Sequence, residues 1–261
     1  NMRITGKVSA LSLAALVFII AAAGCGANGG ESTTAQTTAV ETTAVHREGH
    51  AGNFTMDAGV GETFVFGEYE QDNNVVNGGE PVEWRVLAIT NGRALLLSEK
   101  ILDALPYCED DEILKWRDCS LRFYMAYAFE SQLFNEIESI RVMTIINKNG
   151  IDPGDKTSEG NDTYDNVFLL SPDEVSNTAY GFDSYLAKQD DARRARGTPF
   201  AVSRGLVVDS DGCGAWWLRS PGGPRDKTFT VRPDGCVTAA YGLEVVNNKT
   251  IGVRPAIWID L

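Results

Sequence analysis

The chain has 261 residues, 43% hydrophobic and 9% aromatic, and its 23 basic and 36 acidic side chains give a formal charge of −13. Those apolar residues suffice for a packed core, and the stretch beyond the amino-terminal region suits one domain of moderate size. Such an acidic surface repels nucleic acid and anionic headgroups, so no nucleic-acid partner is expected; a neutral, cationic or sugar-like ligand fits better.

Arg3 and Lys7 precede an apolar stretch from Val8 to Ala23 that ends in Ala22-Ala23-Gly24-Cys25. A charged start, an apolar middle and small residues at the cut are the layout of a secretory signal. The apolar run is shorter than the ~20 residues a spanning helix needs. A cysteine directly after Ala-Ala-Gly sharpens the reading to a bacterial lipoprotein box. Residues 1–24 are then a signal peptide with Met2 as its start, and Cys25 is the lipidated first residue of the mature chain. Two or three acyl chains on one residue anchor stably, which places the domain on the outer face of the bacterial cytoplasmic membrane. Cleavage removes two basic residues and no acids, taking the charge from −13 to −15. Residues 25–53 are the lipidated cysteine and a Thr-rich tether with too few bulky apolar side chains to offset chain entropy. His46 and His50, the only histidines, fall in that tether. A metal site needs more ligands, and neither a metal nor a cofactor is expected.

The remainder, 54–261, reads as a single domain. Glu62–Tyr69 alternates like a strand. Glu83–Ile89 and Arg93–Ser98 flank Asn91-Gly92, the favoured two-residue hairpin turn because both positions tolerate positive φ. Helical spacing begins near Ser120, with Leu121, Tyr124, Met125, Ala128 and Phe129 on one face, continued by Leu133, Phe134, Ile137 and Ile140. Val142–Ile146 turns strand-like, Val167–Ser171 is a short buried strand, and Ser171-Pro172-Asp173-Glu174 opens a helix with serine as cap. Residues 182–205 look mostly helical, with Arg193, Arg194 and Arg196 as a surface ion-pair cluster. From Ala215 the chain is β: Trp216–Ser220, Thr228–Val231, Cys236–Ala240 and Ile251–Ile259, with Pro233-Asp234-Gly235 as a turn. Segregated strands and helices argue an α+β fold.

Besides Cys25 there are Cys108, Cys119, Cys213 and Cys236. An even number outside the cytoplasm points to disulfides, with three possible connectivities. Cys108–Cys119 and Cys213–Cys236 each bracket a turn-rich loop and are the expected pairs, worth ~2–4 kcal/mol each. Zinc is the rival reading, but there is no Cys-x-x-Cys and no domain histidine to help.

Phe66-Gly67-Glu68-Tyr69, Val82–Leu87, Ile101–Ala104, Gly160–Thr163 with Phe168–Ser171, Trp217-Leu218-Arg219-Ser220-Pro221 and Gly252-Val253-Arg254-Pro255-Ala256 occur in this order. The set resembles the bacterial family called domain of unknown function 6273, over about 62–261. Its C-terminal, β-rich half more distantly resembles the C-type-lectin-like fold of formylglycine-generating enzymes and of retroelement variable proteins. That resemblance implies a C-type-lectin-like core with a ligand surface on the loops between the Trp-Leu-Arg-Ser and Gly-Val-Arg-Pro strands. Those loops offer Arg225, Arg232, Tyr241, Glu244, Asn247 and Asn248, with Trp216 beside them. Adjacent strand residues point to opposite faces, so Trp217 is expected in the core and Trp216 out of it. Arg219 and Arg254 are expected to lock the two strands.

No nucleophile–base motif, phosphate loop or zinc-protease helix occurs, and the domain lacks the commonest acid/base residue. Asp209-Ser210-Asp211-Gly212 begins like a calcium loop but continues with Cys213 rather than further ligands. The expected function is a non-catalytic binding or adhesion module for an extracellular glycan, peptide or protein, held to the membrane by its lipid. One alternative is a formylglycine-generating-type enzyme using Cys213 and Cys236; another is a purely structural envelope lipoprotein.

Overall fold

Two five-stranded sheets meet where the chain passes from Val253 to Ala256. The computed structural model describes residues 55–109, 115–149, 162–221, 227–237 and 244–261; Cys25, the signal, the tether, Arg225 and Tyr241 lie outside them. The strands in chain order are β1 (Thr63–Tyr69), β2 (Glu80–Thr90), β3 (Arg93–Ser98), β4 (Asp103–Ala104), β5 (Ile145–Asn147) and β6 (Thr163–Asp165). They continue with β7 (Val167–Phe168), β8 (Trp216–Pro221), β9 (Lys227–Val231), β10 (Glu244–Val245), β11 (Gly252–Val253) and β12 (Ala256–Asp260). One sheet has the order β1-β2-β3-β12-β7, the second β10-β9-β8-β11-β4, and β5-β6 form a separate pair. Within these sheets only β8 and β11 pair in parallel. The fold is mixed α+β and mostly sheet.

The hairpin forms where the turn chemistry puts it. Thr90 faces Arg93 across the turn, and Asn91 and Gly92 sit at φ 51° and 73°. β3 buries five of its six residues, because β2 and β12 flank it in the interior of the sheet.

The expected long helix is broken. It runs as α1 (Ser120–Tyr124), a π-helical turn (Met125–Phe129), α2 (Glu130–Leu133) and α3 (Glu136–Ser139). Phe134 turns extended at φ −126°, ψ 135° and packs its ring 5.2 Å from Phe66. After that break the apolar stripe no longer faces the core, and Ile137 and Ile140 are 71% and 81% exposed. Asn135 caps α3 in a reciprocal box with Glu138.

Residues 182–205 are not mostly helical; in the described chain only α4 (Pro199–Ser203) is an α-helix there. Thr198 caps it and Pro199 occupies its first turn. Ser171 and Glu174 do form a reciprocal cap, 3.2 and 2.7 Å, but it opens only a short 3-10 turn, Glu174–Ser176. Val237 makes an isolated bridge to Val231, and the rest of the strand expected over Cys236–Ala240 lies outside the described residues. No helix among the described residues is long and apolar enough to cross a membrane.

Candidate functional site

Three buried arginines frame the centre of the molecule. Trp216 and Trp217 are both completely buried, which corrects the expectation that Trp216 lies on a ligand surface. β8 is an interior strand, and an interior strand covered on both faces buries successive side chains. The Trp217 indole donates to the Leu105 carbonyl at 2.8 Å and that of Trp216 to the Arg193 carbonyl at 3.1 Å. Arg193, read from sequence as a surface cation, is fully buried. Its guanidinium donates to the carbonyls of Val175 at 2.7 Å, of Lys188 and Gly235 at 3.2 Å, and of Asp183.

Arg254 stands where the chain leaves the second sheet for the first. Its Nε donates to the Ser98 carbonyl at 2.8 Å and its Nη1 to the Arg193 carbonyl at 3.1 Å. The guanidinium lies 5.0 Å over the Trp216 ring. Burial, and after it the neighbouring Arg85, pull Arg254 down to about 9, which leaves it a cation at neutral pH. Arg219 donates to the Leu169 carbonyl at 2.7 Å and pairs with Glu174 at 3.1 Å. Both arginines hold partners well beyond their own two strands. Arg254 Nη2 and Arg219 Nε are buried without a hydrogen-bond partner.

In front of this frame lies an open trough. One hollow of about 580 Å³ is lined by Glu83, Glu99, Lys100, Arg194, Arg196 and Cys213, among others. A second, of about 420 Å³, includes Asp72, Glu80, Thr198 and Pro199. Glu83, Lys100 and Arg196 line both, so the two hollows adjoin. Arg85 clamps Glu99 bidentately at 2.8 and 2.6 Å and donates to the Ala192 carbonyl at 2.8 Å, tying the sheet to the loop that forms the far wall. Arg194 pairs with Asp211 at 2.7 Å and Asp209 at 3.5 Å, and Lys100 meets Glu83 only at 3.8 Å. The Arg196 side chain is exposed and makes no ion pair among the described residues.

Of the loop residues anticipated from sequence, the described ones, Arg232, Glu244, Asn247 and Asn248, do not line this trough. Glu244 accepts from Asn248 at 3.1 Å, and Asn248 accepts in turn from the Thr250 backbone at 2.9 Å, so both organise their own turn. Asn247 is an exposed residue of that turn. Arg232 pairs with Asp234 at 3.2 Å. Asp209 accepts from the backbones of Asp211 and Cys213, each at 2.9 Å, and so closes a turn. Among the described residues the one acidic cluster with metal-ligand spacing is Glu70, Asp72 and Glu80. Its carboxylates accept from the backbones of Gln71 and Asn74, each at 2.7 Å.

All four domain cysteines are free thiols in the structure, so the expected Cys108–Cys119 and Cys213–Cys236 bridges are not formed. Cys119 is committed locally: its thiol donates to the Trp116 carbonyl at 3.3 Å and accepts from Arg122 N at 3.4 Å, capping α1. Cys236 donates to the Ala187 carbonyl at 3.3 Å.

Sequence reasoning missed two buried carboxylates. Asp103 accepts from the hydroxyls of Tyr69 and Tyr124 at 3.0 and 3.2 Å and pairs with Arg204 at 3.2 Å. Asp165 accepts from Arg122 at 2.6 Å, Trp116 at 3.0 Å, Asn147 at 2.7 Å and Thr163 at 2.6 Å. The available signal was an acid inside a strand, at odds with strand propensity.

Burial pushes the Cys119 thiol up to about 12 and holds Tyr69, Tyr107 and Tyr124 above the ordinary phenol value. Groups raised on folding contribute stability that is complete below the unfolded value and is lost as pH rises toward the folded one. Thermal melts should therefore hold steady up to about pH 9 and fall between about pH 9 and 12, the thiol's own window. A melting temperature unchanged at pH 12 would contradict these assignments.

An α+β domain of two mainly antiparallel sheets, with an arginine frame behind an open trough lined by charged side chains, is what the residues build. Residues 91–261 match the family described as Domain of unknown function (DUF6273), and the chain belongs to that family. No curated protein and no solved structure matches the chain. β1 and β2 precede the matched stretch, yet they pair into the same sheet as β3 and β12.

Proposed function

We propose that this is a surface-anchored lipoprotein whose domain is a non-catalytic binding module, with the trough as its ligand site. The observation that carries this reading is a wide hollow lined by charged side chains and set over a buried, hydrogen-bonded frame. Preorganised charged groups on a rigid scaffold suit recognition. Membrane attachment through Cys25 rests on the signal layout, and an extracellular glycan, peptide or protein is the ligand class consistent with that address. The C-type-lectin-like core is supported by the shared sheet of the Trp-Leu-Arg-Ser and Gly-Val-Arg-Pro strands.

The thiol-enzyme alternative finds less support. Burial, then Asp234, raises the Cys236 thiol, against the lowered value a reactive thiol needs. Cys236 and Cys213 also keep different neighbours: Cys236 lies by Asp234 and Arg232, whereas Cys213 lies by Arg194 and Arg254. Two measurements on the full chain test the reading. Arrays of extracellular glycans and proteins should return a saturable ligand. Iodoacetamide at neutral pH should label the partly exposed Cys236 first and slowly, with Cys108 and Cys119 protected. Rapid labelling of Cys213, or stoichiometric copper, would move the assignment to the thiol enzyme.

A further inference from the structure

The charges along the trough narrow the ligand, on the footing that the domain is a binding module. Glu99 is claimed by Arg85 and Arg194 by Asp211; where the two hollows adjoin stand Arg196, which makes no ion pair with the described residues, and Lys100, loosely held by Glu83 at 3.8 Å. Carboxylates stand at both ends: Asp191 and Asp211 in the larger hollow, Asp72 and Glu80 in the smaller. Asp191 is 96% exposed at its side chain, and its contact with Arg194 is long, at 3.6 Å. Among the described residues Arg196 is therefore the unpaired cation between two acidic ends, beside the long Lys100–Glu83 pair.

A polyanion such as an acidic polysaccharide would meet repulsion at both ends. A neutral sugar would leave an exposed guanidinium without a counter-charge. The smaller hollow also presents Val65, Pro81 and Pro199, apolar surface that suits side chains of an extended chain. We propose that the trough binds a peptide segment with one acidic residue, seated against Arg196, flanked by basic residues that reach Asp191 on one side and Asp72 and Glu80 on the other. The central contact is a charge-assisted hydrogen bond of the kind arginine makes bidentately with a carboxylate. The flanking contacts are exposed and set orientation and association rate more than affinity.

The test is fluorescence polarisation on the full chain with a labelled peptide carrying a central glutamate between lysines. Two controls accompany it: the same peptide with glutamine at the centre, and a charge-reversed peptide with a central lysine between glutamates. The first peptide should bind; glutamine at its centre, or Arg196→Ala in the protein, should weaken it by about tenfold or more. The charge-reversed peptide should not bind. Arg196→Ala should melt with the wild type, since the side chain is exposed and makes no ion pair among the described residues, so lost binding is not lost folding. Arg196→Lys should restore part of the affinity. Equal binding of the charge-reversed peptide, indifference to Arg196→Ala, or no binding of the first peptide overturns the proposal. A glycan or protein hit on the arrays that ignores Arg196→Ala would also sink it, while leaving the binding-module reading in place.

Discussion

Arg254→Met should cost about 3–5 kcal/mol of stability, from lost charged hydrogen bonds and a packing defect. The substitution takes the guanidinium donor from the Ser98 carbonyl in the first sheet and one of two donors from the Arg193 carbonyl in the loop behind the trough, which keeps the Trp216 indole. It also removes the cation from the Trp216 ring. Arg254→Lys should recover little, because one ammonium does not reproduce a planar fork aimed at two carbonyls and an indole. Urea denaturation of both variants beside the wild type measures the effect. A loss under about 1 kcal/mol for Arg254→Met would show that the arginine is dispensable to the frame, as a surface residue is.

Gly235→Ala should be nearly as damaging, for a different reason. Gly235 sits at φ +81°, and a Cβ there would lie 2.1 Å from the Asp190 carbonyl oxygen. The left-handed backbone and the collision with rigid main chain together should cost about 3 kcal/mol or more. The shift propagates, because Arg193 Nη1 donates to the Gly235 carbonyl and the following residues, Arg194 and Arg196, line the trough. Weakened ligand binding should therefore accompany the lower melting temperature. Gly92→Ala is the matched control: its φ is +73° but nothing lies within 4 Å of the added methyl. It should lose only about 1 kcal/mol, the cost of the backbone conformation alone. If the two glycine variants melt together, the Asp190 contact is not the constraint inferred here.

What the sequence by itself determined is whatever depends on near neighbours in the chain. The Asn91-Gly92 hairpin, the Ser171–Glu174 cap and the Pro233-Asp234-Gly235 turn follow from backbone preferences of two to four residues, and all three form. The ordered motifs pointed to the family, which the match over 91–261 bears out. Tertiary structure decided the rest, because distant groups outweighed local preference. Residues 182–205 carry helix-compatible side chains, yet the carbonyls of Val175 and Gly235 draw Arg193 into the interior and the segment wraps around it. Trp216 followed strand alternation in direction but not in exposure, since β9 and β11 on either side made β8 an interior strand. The trough gathers residues from 65–100 and 191–213, and nothing in their spacing along the chain shows that they meet. A cation's partner is a fact of three-dimensional distance, and that is why Arg193 and Arg196, three residues apart, have opposite fates.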